Sequence, residues 1–216
     1  MMPALLHLVT LLETAAQIAI STAVITWDMP RRPQDARTLL AIAGALLATC
    51  LMGIAGLVLP WLGARNAAGS LVTFSLTLTC VAVLVHELMD MSLASALFCA
   101  SAGFLVQNLA SSLGTSFLLC AGLWGAGAIT HLAIWTSFLL VCVVVRHLFS
   151  RYVQGASVPV VGSHTVAAMC LLAIAVSILD DSLFWSVSSD FGLTPRYQLA
   201  MRTVHMVLGT SVLFME

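Results

Sequence analysis

Runs of about twenty apolar residues follow one another along this chain, and most of its charges are confined to the short stretches between them. A helix needs about 20 apolar residues, rising 1.5 Å each, to cross the hydrocarbon core of a bilayer. That pattern predicts spans over residues 4–27, 38–59, 70–88, 92–113, 129–148, 163–180 and 197–216. Asp28 to Arg37, with two prolines and three arginines, is the clearest loop. Residues 114–128 are apolar but glycine-rich and too short to cross alone. They read as an extension of the fourth helix followed by a turn, with a re-entrant turn or outer loop as alternatives. The expectation is an all-α, polytopic transmembrane helix bundle forming one domain over residues 1–216, with about seven spans, or six if the last is incomplete.

Composition supports the membrane class. Hydrophobic residues make up 61% of the chain and charged residues 8%, whereas soluble domains carry about 25% charged residues. A net charge of −1 gives no reason to expect nucleic acid as a partner. The partners this composition suits are lipid, other transmembrane helices (a second copy in a homodimer included) and whatever ligand reaches the bundle. Each of the six cysteines lies in or beside an apolar run, without C-x-x-C or histidine ligand spacing. They read as small buried hydrophobes, and neither metal nor cofactor is inferred.

Arginine placement sets an expected orientation. The first apolar run lacks a basic region ahead of it and is followed by arginines, so it reads as an uncleaved helix entering with its N-terminus outside. Arg31, Arg32 and Arg37 put the first loop inside, and alternation puts Arg146 and Arg151 inside too. Arg65 and Arg196 fall outside, and Arg202 lies in the last span. This bias predicts N-terminus out and C-terminus in. The turn between the third and fourth spans should be inside, although it carries only Glu87 and Asp90.

The fourth span is expected to be the centre of the bundle. At helical spacing, Ser92, Ala96, Cys99, Gly103, Gln107, Ala110 and Gly114 share one face, and all but Gln107 are small. Small residues let another backbone approach, and a polar side chain finds a partner across the contact. The larger Leu93, Leu97, Phe98, Phe104, Leu105 and Leu109 fall mostly on the other sides, with Leu105 expected to face lipid.

Ionisable residues at membrane depth are candidates for function, because their desolvation must be offset by a partner. Thr10, Glu13, Gln17 and Ser21 share one face of the first helix, which should point inward. Arg202 and His205 share a face of the last. On the expected topology Glu13 and Arg202 differ in depth by only about 5 Å, so a ligand-sensitive Glu13–Arg202 pair is a candidate. A static pair or a protonated Glu13 is the plainer reading. His86 and Glu87 read as interfacial, and Asp180 and Asp181 as exposed acids that could also meet a cationic ligand. There is no G-x-x-x-x-G-K-[ST], H-E-x-x-H or G-x-S-x-G. Cys80 and His86, like His164 and Cys170, are six residues apart and do not share a helix face. The chain itself is not expected to be an enzyme.

Three pieces carry a resemblance to a known family. They are the glutamate-bearing first helix leading into Met29-Pro30-Arg31-Arg32, the stretch Ala94 to Phe104 (ASALFCASAGF), and Gln107 to Leu113 (QNLASSL). Together they resemble the membrane-sensor half of GHKL-type histidine kinases, the family of the accessory-gene-regulator quorum sensors, with its ALF…AGY helix and QH/QN-(I/L)-A-x-x-L continuation. The resemblance implies a multi-pass protein of the bacterial cytoplasmic membrane, with six or seven spans and an outer N-terminus. It also implies an extracellular peptide or small-molecule signal and a cytoplasmic kinase region. No phosphoacceptor helix or nucleotide-binding motif lies within the 216 residues. A kinase region, if any, would lie beyond Glu216, or the chain is a kinase-less relative. The other functional expectation is a small transporter component, such as the substrate-binding membrane subunit of a vitamin importer. A scaffold without a ligand is a third.

Overall fold

The computed structural model describes residues 2–33, 35–58, 67–123 and 127–152, together with 168, 170, 171 and 175. Five helices account for nearly all of them: α1 (Met2–Ile25), α2 (Ala36–Val58), α3 (Ala67–Leu88), α4 (Leu93–Cys120) and α5 (Ala128–Tyr152). No strand occurs among the described residues, and the one bridge pairs Arg31 with Met89. Among the described residues, three helical stretches are long and apolar enough to cross a membrane: Leu71–Leu88, Leu93–Cys120 and Ala128–His147. Leu12–Ile25 is a shorter apolar helix. The predicted spans over residues 163–180 and 197–216 lie almost wholly outside the described residues.

Local sequence explains where these helices start and stop. Asp35 precedes α2 and accepts from the Thr38 backbone N–H at 3.0 Å and from its hydroxyl at 3.2 Å, satisfying a donor that the helix start leaves open. Ser92 does the same for α4, accepting from the Ser95 N–H at 3.2 Å. At its other end α4 runs through Gly114 to Cys120 before closing. There Gly122 takes a left-handed φ of 67°, and the N–H groups of Gly122 and Leu123 return to the carbonyls of Leu119 and Leu118. Glycine adopts that backbone without a Cβ penalty. At 28 residues α4 is the longest helix, about 42 Å end to end.

α4 is the core of the bundle. It packs against α1, α3 and α5, while α2 packs on α3 and α1. Of its apolar span 67% is buried, against 28% for the α3 span and 22% for the α5 span. This corrects one expectation: Leu105 does not face lipid but is 1% exposed, and Phe104 is buried beside it. A single stripe of small residues implies one packed side, whereas a helix with neighbours on three sides buries most of its circumference. Phe104 meets Phe74 of α3 edge-on, ring centroids 5.3 Å apart, an arrangement aromatic quadrupoles favour. α5 turns Phe138, Val141, Cys142 and Val145 inward and leaves Leu139, Leu140, Val143 and Val144 exposed. A helix apolar on both its packed and its open faces suits a lipid surround.

One end of the bundle gathers the described arginines. The Arg32 N–H donates to the Leu88 carbonyl at 3.0 Å and the Asp90 N–H to the Pro30 carbonyl at 2.9 Å, which joins the α1–α2 loop to the α3–α4 turn. Arg146, near the end of α5, grips Asp28 with both terminal nitrogens, one at 2.9 Å. Arg32 Nε stands 3.8 Å from Asp90. The guanidinium groups of Arg31 and Arg146 lie 6.0 and 5.9 Å from the Trp27 ring centroid. The acidic α3–α4 turn therefore shares an end with Arg31, Arg32 and Arg146, and Asp90 sits beside one of them.

Candidate functional site

The inward face of α1 is polar over three turns. Gln17, Ser21, Thr22 and Thr26 are buried, and Glu13 is half-buried one turn before Gln17. Hydroxyls on an apolar helix return their proton to the preceding turn: Thr22 donates to the Ile18 carbonyl at 2.7 Å and Thr26 to the Thr22 carbonyl at 3.0 Å. Ser21 instead reaches across to the Gly103 carbonyl of α4 at 2.7 Å, with the Gln17 and Ile18 carbonyls of its own helix at 2.9 and 3.0 Å.

Gly103 makes that reach possible. A Cβ at residue 103 would fall 2.1 Å from Thr22 Oγ1 and 2.8 Å from the Thr22 backbone nitrogen. Farther along α4, a Cβ at Gly114 would meet Ile134 Cα at 3.0 Å and Ser137 Oγ at 3.2 Å. The small face thus serves two neighbours at different heights, α1 at Gly103 and α5 at Gly114. Ala96, Cys99 and Ala110 are buried along the same stripe.

Between these contacts the two glutamines meet. Gln107 Nε2 donates to Gln17 Oε1 at 3.2 Å, with both residues buried. The other amide donor, Gln17 Nε2, is buried without a partner among the described residues. An orphaned donor in an apolar interior costs about 1–3 kcal/mol, so this joint carries a hydrogen-bonding capacity the described residues leave unused.

One turn farther along α1, Glu13 binds α5. The Trp135 indole N–H donates to Glu13 Oε1, and His131 Nδ1 lies 3.2 Å from Oε2. Trp135 is steadied by Phe138, edge-on at 5.6 Å. Glu13, Gln17 and Ser21 therefore form a ladder that meets α5 at its first rung and α4 at the next two. Trp135 and His131 belong to the site although the sequence did not single them out. The signal available was the indole N–H in an apolar run, which needs an acceptor. Arg202 and His205, like the Thr10 side chain, lie outside the described residues. At the arginine end, His86 Nδ1 lies 2.9 Å from the Met91 carbonyl.

No protein-family model, curated protein or solved structure matches this chain.

Proposed function

We propose that the chain is the membrane-sensor module of a bacterial signal-transduction histidine kinase of the accessory-gene-regulator type. In this reading it has seven spans, an outer N-terminus and a cytoplasmic C-terminus. A small peptide or other small molecule would meet the outer half of the bundle, and the response would pass through α1 and α4 to a cytoplasmic output. Homodimers would carry it, as kinase regions of this class act in pairs.

The observation that carries the reading is the Gln17–Gln107 joint with its spare donor. A ligand can move an equilibrium only by its differential affinity for two arrangements. The α1–α4 contact holds an amide bond between two side chains beside a donor with no partner among the described residues, and such a joint could exchange one bond for another. The gathering of Arg31, Arg32 and Arg146 at one end fits the orientation expected from arginine bias.

The test fuses the chain after Glu216 to the dimerisation and ATP-binding region of a histidine kinase. Autophosphorylation is then measured in inside-out vesicles. Gln107→Leu strands Gln17 and should shift the basal rate several-fold in either direction, whereas Leu140→Ala on the open face of α5 should leave it unchanged. Identical rates for all three proteins would sink the reading, and a vitamin co-purifying with the chain would replace it with the transporter. A reporter fused at the same point should be active in the cytoplasm.

A further inference from the structure

We propose that Glu13 and His131 together form a proton-binding site set in the wall between α1 and α5. Glu13 Oε2 and His131 Nδ1 are 3.2 Å apart, and their side chains are 17% and 49% exposed. One partner is thus held inside the bundle and the other is open to the surroundings. His131 stands in the first turn of α5, about 5 Å along the helix from its start, close to the α4–α5 connection. A proton can reach the imidazole from that surface without crossing the bundle.

The chemistry follows from the partners. The indole N–H of Trp135 occupies one oxygen of Glu13 and leaves Oε2 to face the imidazole. Proton uptake by the neutral imidazole then gives an imidazolium facing the Glu13 carboxyl group, and the contact gains a full positive charge on its donor side. Histidine is the side chain that makes this change between pH 5 and 8. No bond but N–H forms, and the proton comes from water.

Among the described side chains, Glu13 and His131 are the ionisable pair at this wall. α4, packed against both helices, carries no charged residue, and its titratable groups are Cys99 and Cys120. α3 brings Cys80, His86 and Glu87, the last two at the arginine end. α2 brings Arg37 and Cys50, and α1 itself carries His7 besides Glu13. On α5, Cys142, Arg146, His147, Arg151 and Tyr152 lie at least three turns from His131. The site would tighten α1 against α5 on acidification and relax it on alkalinisation. This goes beyond the sensor reading and does not depend on it, because proton uptake is measured on the isolated chain without any kinase.

Trp135 is the reporter. A variant in which Trp27, Trp61, Trp124 and Trp185 are phenylalanine leaves it as the one indole. Its emission in detergent would be recorded at pH 8 and pH 5, with far-UV dichroism checking that the helices stand. An imidazolium quenches a neighbouring indole more than a neutral imidazole does, so emission should fall reversibly on acidification. His131→Gln, and His131→Asn if the first does not fold, should abolish the fall. Followed in steps across the same range, the fall in Glu13→Gln, which keeps an acceptor oxygen for Trp135, should have its midpoint at lower pH than in the parent. An unchanged fall in the His131 variants, an unchanged midpoint in Glu13→Gln, or no fall in the parent would each overturn the proposal.

Discussion

The Ser21 hydroxyl donates to the Gly103 carbonyl at 2.7 Å, joining α1 to α4 where the α1 backbone comes close to Gly103. In lipid the hydrophobic effect does little to bring helices together, and close packing with interhelical hydrogen bonds takes its place. Gly103→Ala should therefore weaken the bundle. The new Cβ would overlap the Thr22 hydroxyl, which can rotate, and the Thr22 backbone nitrogen, which cannot without moving α1. The expected loss is about 1–3 kcal/mol, the range for overpacking, read as thermal unfolding in detergent. Gly44→Ala on α2 is the control. Nothing lies within 4 Å of the added atom, so helix propensity should make it neutral or stabilising by up to about 1 kcal/mol.

Leu105 provides a second contrast. It is 1% exposed, so Leu105→Ala should open a cavity and cost about 2–5 kcal/mol. Leu132 on α5 is 68% exposed, and Leu132→Ala should stay within about 0.5 kcal/mol. Equal losses in detergent melts would mean that α4 is not enclosed.

The arginine end should show a pH signature. Hydrogen bonding from Arg146 holds the Asp28 carboxyl below its ordinary value of 3.8, aided by the guanidinium charge and opposed by some desolvation. A carboxylate whose folded pKa is depressed stabilises the fold above its unfolded pKa and loses that contribution as pH falls through the folded one. The difference in melting temperature between the parent and Asp28→Asn should be constant from neutral pH down to about 5 and close below 3.8. The pair is exposed, so the difference should be small and shrink in high salt.

Much of this architecture was legible from spacing. Gln17 and Ser21 lie four residues apart, and a helix turns both to one side, so their inward direction needed no structure. The same holds for Gly103 and Gly114, since a small residue in an uncharged helix marks a close approach. Spacing on one helix says nothing about which helix approaches. That Gly103 meets α1 and Gly114 meets α5 depends on how the helices cross. The Glu13–Trp135 bond joins residues 122 positions apart and depends on the rotation of both helices. Leu105 departs from its expected lipid-facing place for a related reason, because a single small stripe reports one packed side of a helix that has three.

The account depends on α1 meeting α4 across Gln17 and Gln107, and a double-mutant cycle tests that most directly. Gln17→Leu or Gln107→Leu alone strands one amide, whereas the double substitution removes both and leaves an apolar contact. Measured by thermal unfolding in detergent, each single variant should be destabilised. The double variant should lose less than the sum, by about 0.6–1.7 kcal/mol, the scale of hydrogen bonds between membrane helices. Losses that add to within about 0.5 kcal/mol would contradict the contact, and with it the sensor reading that rests on this joint.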